Sequence, residues 1–232
     1  MNLAQKRAVV RQSLPDVIVA DLRQRILSGE LEEGALIRQE LLAEEYDVSR
    51  MPIREALKRL DAEGLLVFKN NRGATVTKHS LDEIAEIFDI RILLEIDLFA
   101  RAIPNMTAAQ FAACEDILKQ MDASYLTGNV ADWGPLNSDY HSKLYEAAGR
   151  HLTEQVLQRV TLQANRYVSM HIGKLNNRDH ASQDHYALLE CAKRGDVEAG
   201  TRLLRAHLVN TKQQVIAWIA EHRQQKEQIS AS

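Results

Sequence analysis

The sequence predicts a mainly α protein in two parts: a short head of helices with a small β-hairpin, then a longer all-helical bundle. Three observations predict it. The stretch 48–66, VSRMPIREALKRLDAEGLL, puts Ile53, Ala56, Leu57 and Leu60 at helical spacing on one face, while Arg50, Arg54, Lys58 and Arg59 lie elsewhere around the helix. Directly after Gly64, residues 65–68 and 74–77 read as two strands joined through Asn70, Asn71, Arg72 and Gly73. From Leu81 to Gln224 no convincing strand occurs, and apolar residues recur three and four apart in segment after segment.

Within the head, residues 1–14 form a polar arm without a clear period and are expected to be flexible. From Pro15 or Asp16 to Ser28 the apolar positions Val17, Ala20, Leu22 and Ile26 predict a first helix, and Gly29 and Gly34 bracket the turn that follows. A short helix over Gln39–Tyr46 meets the 48–66 helix across a tight Asp47-Val48 connection. Ser49 is placed to cap that second helix with its hydroxyl, and Pro52 lies in the first turn, where its missing N–H costs nothing. Helix, turn, helix and hairpin together make a winged helix-turn-helix over residues 15–78, the arrangement that lays a recognition helix in a DNA major groove.

Charge agrees with that reading once it is divided along the chain. The whole protein carries a formal net charge of -3, yet residues 48–80 hold seven Lys/Arg against three Asp/Glu. A local positive patch is what phosphate neutralisation needs, and an acidic remainder discourages indiscriminate binding. Arg50 and Arg54 are the leading base or phosphate contacts, because a guanidinium forms paired hydrogen bonds with guanine O6 and N7. Arg72 and Gly73 at the wing tip have two readings, a minor-groove or phosphate contact and a plain turn with a solvated arginine.

The residues VSRMPIREALKRLDAEGL resemble the DNA-binding domain of the GntR family of bacterial transcription regulators. Leu22-Arg23, Ile26, Gly29-Glu30-Leu31, Gly34 and Leu42-Ala43 upstream, with Gly73 and Val76 downstream, extend the likeness in order and spacing. The resemblance implies that Ser49 and Met51, at the exposed start of the recognition helix, also touch phosphate or bases. Met51 stands where the family usually has threonine, so it offers an apolar contact to a thymine methyl. Glu40 stands where some relatives carry a DNA-contacting arginine, and that contact does not carry over.

The second part, residues 79–225, is expected to hold helices near 81–102, 107–123, 129–148, 151–173, 181–194 and 197–223, with a flexible tail over 226–232. Breaks fall at Pro104 with Thr107 as a cap, at Gly128, at Gly149, at the polar run Asn176 to Asp179, and at Gly195-Asp196. Cys114 and Cys191 are isolated and read as reduced thiols. No apolar run approaches the roughly 20 residues of a bilayer span, and the first residues lack a signal-peptide core, so a cytoplasmic location with no membrane partner is expected.

Three histidines occupy inward faces of this part. His141 shares its face with Leu144 and Ala148, His185 with Leu188, Leu189 and Ala192, and His207 with Leu204, Leu208 and Thr211. A single histidine so placed is ordinarily a hydrogen-bonded core residue; three on separate helices form a candidate metal site, because neutral imidazole ligates zinc and related divalent ions. Asn137, one turn before His141, adds a carbonyl oxygen, a weaker ligand than a carboxylate. Ile84, Ile87, Leu94 and Leu98 define a buried face that also contains Arg91 and Glu95. Two readings stay open there, an internal ion pair and a guanidinium that clamps the carboxylate of a small organic acid effector.

Arg91, Glu95, the Asn137-to-His141 pair in NSDYH, His185 in DHYALLECAKRGD and His207 in LLRAHL resemble the FCD ligand-binding domain of the FadR subfamily of GntR regulators. Metal-binding members hold the ion with an aspartate and three histidines; Asn137 replaces the aspartate here. The resemblance implies a divalent metal cofactor, zinc first, with nickel, manganese or iron sharing such ligands. The resulting expectation is a homodimeric regulator, a repressor that binds a double-stranded DNA operator with an inverted repeat and answers to a small acid. A metal-dependent enzyme acting on a small acid and a metal-sensing regulator are the competing readings.

Overall fold

The computed structural model describes residues 13–69, 73–126, 130–172 and 178–230. Their contacts divide into two units, one comprising residues up to Ile26 with Glu30–Thr77, the other Lys78 onward with Leu27–Gly29. Expectations for residues 1–12, for Asn70, Asn71 and Arg72 of the wing, and for the breaks at Gly128 and at Asn176 and Asn177 lie outside the described residues.

The head runs α1 (Leu14–Leu27), β1 (Leu36–Ile37), α2 (Gln39–Glu45), α3 (Arg50–Ala62), β2 (Leu66–Lys69) and β3 (Gly73–Val76). Helix α1 buries Ile18, Val19, Leu22 and Ile26, whereas Val17 and Ala20 are exposed. In the run VIVA every residue is apolar, so periodicity leaves the inward frame undetermined and packing selects it. Asp47 takes the left-handed conformation, φ 51°, that lets α2 turn into α3, a conformation aspartate tolerates better than most residues.

Ser49 stands at the N-cap of α3 with extended backbone, but its side chain makes no capping hydrogen bond. A cap hydroxyl accepts from the N–H of the second or third helical residue; the third is Pro52, which has none, and no bond to the second, Met51, forms. Hydroxyl and N-terminal backbone are left on the exposed surface.

The wing is a three-stranded antiparallel sheet in the order β1-β3-β2, with Leu66 opposite Val76 and Lys69 opposite Gly73. Strand β1 was not anticipated, since two residues carry no periodicity; Ile37 pairs with Ala74 and is buried. It also explains Gly73. That residue is buried with φ 89°, and a Cβ there would lie 2.0 Å from the Ile37 carbonyl oxygen. Gly73 therefore serves backbone packing. Gly73→Ala is expected to destabilise the head by at least about 2 kcal/mol, from the left-handed backbone and the clash with fixed main chain. Thermal or urea unfolding measures it, and an unchanged midpoint would show that β1 does not hold the wing as described.

The second unit comprises α4 (Leu81–Ala102), α5 (Ala108–Leu126), α6 (Val130–Tyr145), α7 (His151–Ile172), α8 (Arg178–Lys193) and α9 (Val197–Ser230). Short 3-10 turns cover Ile103–Asn105 and Glu146–Ala148. Helix α4 starts on a reciprocal cap: Glu83 N–H donates to Ser80 Oγ at 3.1 Å, and Ser80 N–H donates to Glu83 Oε2 at 2.7 Å. It packs against α6, α7 and α9, burying Ile84, Phe88, Leu98 and Phe99 in a core with Tyr140, Leu188 and Leu204. Leu94, expected on that face, is only half-buried.

Boundaries differ from expectation in several places. Helix α8 begins at Arg178, so Arg178 and Asp179, expected in a break, are helical. Helix α6 stops at Tyr145, so Ala148 lies in the following turn, not on the face of His141; Gly149, at φ 61°, closes that turn. Helix α9 continues to Ser230, where a flexible tail was expected. Its last turns, HRQQKEQ, are polar without an apolar stripe, yet every residue but one is a good helix former. Both cysteines are buried and free, and burial pushes the Cys114 thiol up to about 11. Among the described residues no helix is long and apolar enough to cross a membrane.

Candidate functional site

In the head, Ile53, Ala56, Leu57 and Leu60 of α3 are fully buried, and the start of the same helix faces outward. Met51 is 77% exposed, and Ser49, Arg50, Arg54 and Lys58 are exposed with it. The basic residues are not equivalent. Arg59 is held by Asp16 and Glu55, each at 2.5 Å. Arg50 Nη1 lies 3.1 Å from Glu40 Oε1 of α2, while Arg54 forms no ion pair among the described residues. The Arg50-Glu40 pair was missed from sequence, where Glu40 registered only as the loss of an arginine. Arg72 lies outside the described residues.

In the helical unit the structure brings His141 of α6, His185 of α8 and His207 of α9 together. One ligand nitrogen from each lies within 4.8 Å of the others, and the ring centroids stand 5.0–5.8 Å apart. His185 is fully buried, and neither of its ring nitrogens has a hydrogen-bond partner among the described residues. Buried polar groups are nearly always satisfied, so an imidazole with both nitrogens bare marks a place for a ligand. Burial first, then the neighbouring His207, then Arg91 for His141 and His141 for His185, drives His141 and His185 well below the usual histidine range. Both are neutral near pH 7, the form that binds metal. The residues thus fit a divalent ion. Asn137 is buried one turn before His141 on α6.

Around these rings runs a hydrogen-bonded chain. Arg91 Nε donates to Glu95 Oε1 at 2.8 Å, Tyr145 Oη donates to Glu95 Oε2 at 2.7 Å, and His141 Nδ1 lies 3.1 Å from Tyr145 Oη. Arg91 and Glu95 are 4% and 1% exposed, so the internal ion pair weighed from sequence is formed. His207 Nδ1 is 3.0 Å from Asp184 Oδ2, and Tyr140 Oη donates to the His185 carbonyl at 2.7 Å. Tyr140, Tyr145 and Asp184 were missed by sequence reasoning. Asp184 had a weak signal, as the acid adjoining His185; the tyrosines had none.

Comparison with known proteins decides the family. The model of the FCD domain matches residues 86–210, and that of bacterial regulatory proteins of the gntR family matches residues 14–76. The chain belongs to the GntR family. This GntR chain is 30% identical over 205 residues, 85% of its length and 83% of the relative's, to the uncharacterized HTH-type transcriptional regulator BphR of Paraburkholderia xenovorans (strain LB400). It is 26% identical over 196 residues, 81% of its length and 89% of the relative's, to the HTH-type transcriptional repressor GlaR of Escherichia coli (strain K12). Its fold is similar to that of E. coli McbR/YncC, with a TM-score of 0.75 at 23% identity over 92% of this chain and 100% of that one. The relatives are regulators of transcription, so this GntR chain joins a DNA-reading head to an FCD domain.

Proposed function

We propose that this GntR protein is a metabolite-responsive transcriptional regulator of the FadR type, a repressor that binds an inverted-repeat operator as a homodimer. Its FCD domain takes a small carboxylic acid through a divalent metal ion, zinc first. The observation that carries the effector reading is the cluster of three ligand-competent imidazoles, His141 and His185 buried and His207 partly so. His141, His185 and His207 would hold the ion with Asn137 beside them, leaving positions for water or an acid. When bound, the metal supplies a Lewis-acidic anchor for a carboxylate. Arg91 supplies a second: Glu95 takes its Nε–H, and the guanidinium has further N–H donors for an acid.

Repression fits a relative such as GlaR, whose name states it. The means is linkage: an acid that binds one arrangement of the dimer more tightly shifts the population toward it and changes operator affinity. A repressor acts where the DNA is, so we place it in the cytoplasm. Against the enzyme reading, Glu95 is already held by Arg91 and Tyr145, and so is poorly placed to act as a general base.

The dimer surface we assign to α4 and α7, which pack side by side. Each leaves large apolar residues outside, Ile90 and Leu93 on α4, the latter 69% exposed, and Leu152 and Val156 on α7. Contiguous exposed apolar residues mark contact surfaces. Leu93→Glu is expected to shift the protein to monomers in sedimentation velocity at micromolar concentration; a variant as dimeric as the parent would move the interface elsewhere.

The reading as a whole is tested by operator binding with and without zinc and candidate acids. An acid that changes operator affinity only in zinc-loaded protein supports it, and an effect equal in metal-free protein removes the metal from the mechanism.

A further inference from the structure

Three imidazoles and an asparagine bring no negative charge to the proposed metal position. A dication placed there would be buried against an uncharged ligand set, and burying uncompensated charge is costly. The compensating charge in this protein lies one hydrogen bond further out. Asp184 Oδ2 is 3.0 Å from His207 Nδ1, and Glu95 Oε2 accepts from Tyr145 Oη, whose oxygen lies 3.1 Å from His141 Nδ1.

The direction of these bonds follows from the donors present. A carboxylate only accepts, so His207 carries its proton on Nδ1 and keeps the Nε2 lone pair for a metal. Tyr145 spends its one O–H on Glu95, which Arg91 holds at 2.8 Å on the other oxygen. The tyrosine oxygen then accepts from His141 Nδ1–H, and His141 likewise keeps Nε2 free. His185 has no such partner among the described residues; its backbone carbonyl accepts from Tyr140 Oη.

We propose that Asp184 is a positioning residue that supplies this centre's negative charge and fixes the ligand nitrogen of His207, and that Tyr145, held by the Arg91-paired Glu95, is a positioning residue that fixes the ligand nitrogen of His141. Asp184 takes the place of the charge that Asn137 does not provide. The inference rests on the metal reading above and assigns roles that reading does not contain. It makes the strength and selectivity of the centre depend on residues that touch no metal.

The test is metal affinity of the full-length, metal-stripped protein, measured by chelator competition with zinc and with manganese, and by the visible absorption of the cobalt form. Asp184 is about one-third exposed, so its substitution is tolerated by the fold. Asp184→Asn, which keeps an acceptor and removes the charge, is expected to weaken zinc by about 10- to 100-fold and to shift the cobalt bands, with Asp184→Glu restoring part of both. Tyr145→Phe is expected to weaken zinc to a similar degree. Asn137→Asp is expected to raise manganese affinity more than zinc affinity, since oxygen ligands suit manganese. Zinc affinity unchanged in both Asp184→Asn and Tyr145→Phe overturns this inference while leaving the metal site standing. A parent protein that binds no zinc after reconstitution overturns the metal reading and this inference together.

Discussion

His185→Leu is expected to do two opposite things, abolishing the response to metal while raising the stability of the metal-free protein. Both follow from one fact, that His185 is fully buried with neither ring nitrogen hydrogen-bonded among the described residues. An unsatisfied buried polar group costs about 1–3 kcal/mol, and a leucine of similar bulk does not carry that cost. With its ligand gone, the variant also loses the stabilisation that binding gives the folded state, about 4 kcal/mol for a metal present at a thousand times its dissociation constant. For a chain of this size that is roughly a 10 °C rise in midpoint for the parent on adding zinc, and none for the variant. Thermal scans of both proteins, stripped and zinc-loaded, measure it. A metal-free variant that melts well below the parent would mean that the imidazole is satisfied within the core and that the cluster is a packing feature. His141→Leu should not show the gain, because His141 Nδ1 already has Tyr145 as a partner.

Arg54→Ala is expected to weaken operator binding by about 1–3 kcal/mol per reading head, more than any other single change on the exposed side of α3. Arg54 is exposed and unpaired among the described residues, so its guanidinium meets DNA without first giving up a protein partner. Arg50 meets it with Glu40 at 3.1 Å, an exposed pair whose own contribution is small. Two consequences separate the residues. Arg50→Ala should cost less than Arg54→Ala, and Glu40→Gln should tighten binding, because a carboxylate facing phosphate is repelled and its removal frees Arg50. Titrations at several salt concentrations check this: a lost phosphate contact lowers the salt slope by about 1, whereas a lost base contact relaxes sequence preference at one position. Equal binding by Arg54→Ala and the parent would mean that α3 is not the reading helix.

Much of this was legible in the sequence because it rests on local regularities. The apolar stripe of α3, the glycine after it and the three-and-four spacing of the second unit are short-range patterns set by the 3.6-residue turn. For the same reason the three histidines could be placed on inward faces before any coordinates, and Arg91 beside Glu95 one turn apart. What failed also failed for local reasons. VIVA in α1 is apolar throughout and fixes no frame, and β1 is too short to have a period. Ser49 had the right residue type for a cap, but the proline three positions on removes one of the two N–H groups that a cap hydroxyl binds.

The sequence by itself determined the order of helices and hairpin, the family, and which side chains are chemically able to read DNA or hold a metal. Only the tertiary structure decided which of them meet. That His141, His185 and His207 converge, that Tyr145 joins Glu95 to His141, that Asp184 turns to His207 and that Ile37 fills the space a Cβ at Gly73 would need are contacts between distant segments. Periodicity states which face of a helix is apolar, while the partner of that face is fixed by packing among helices whose relative rotation no local pattern encodes.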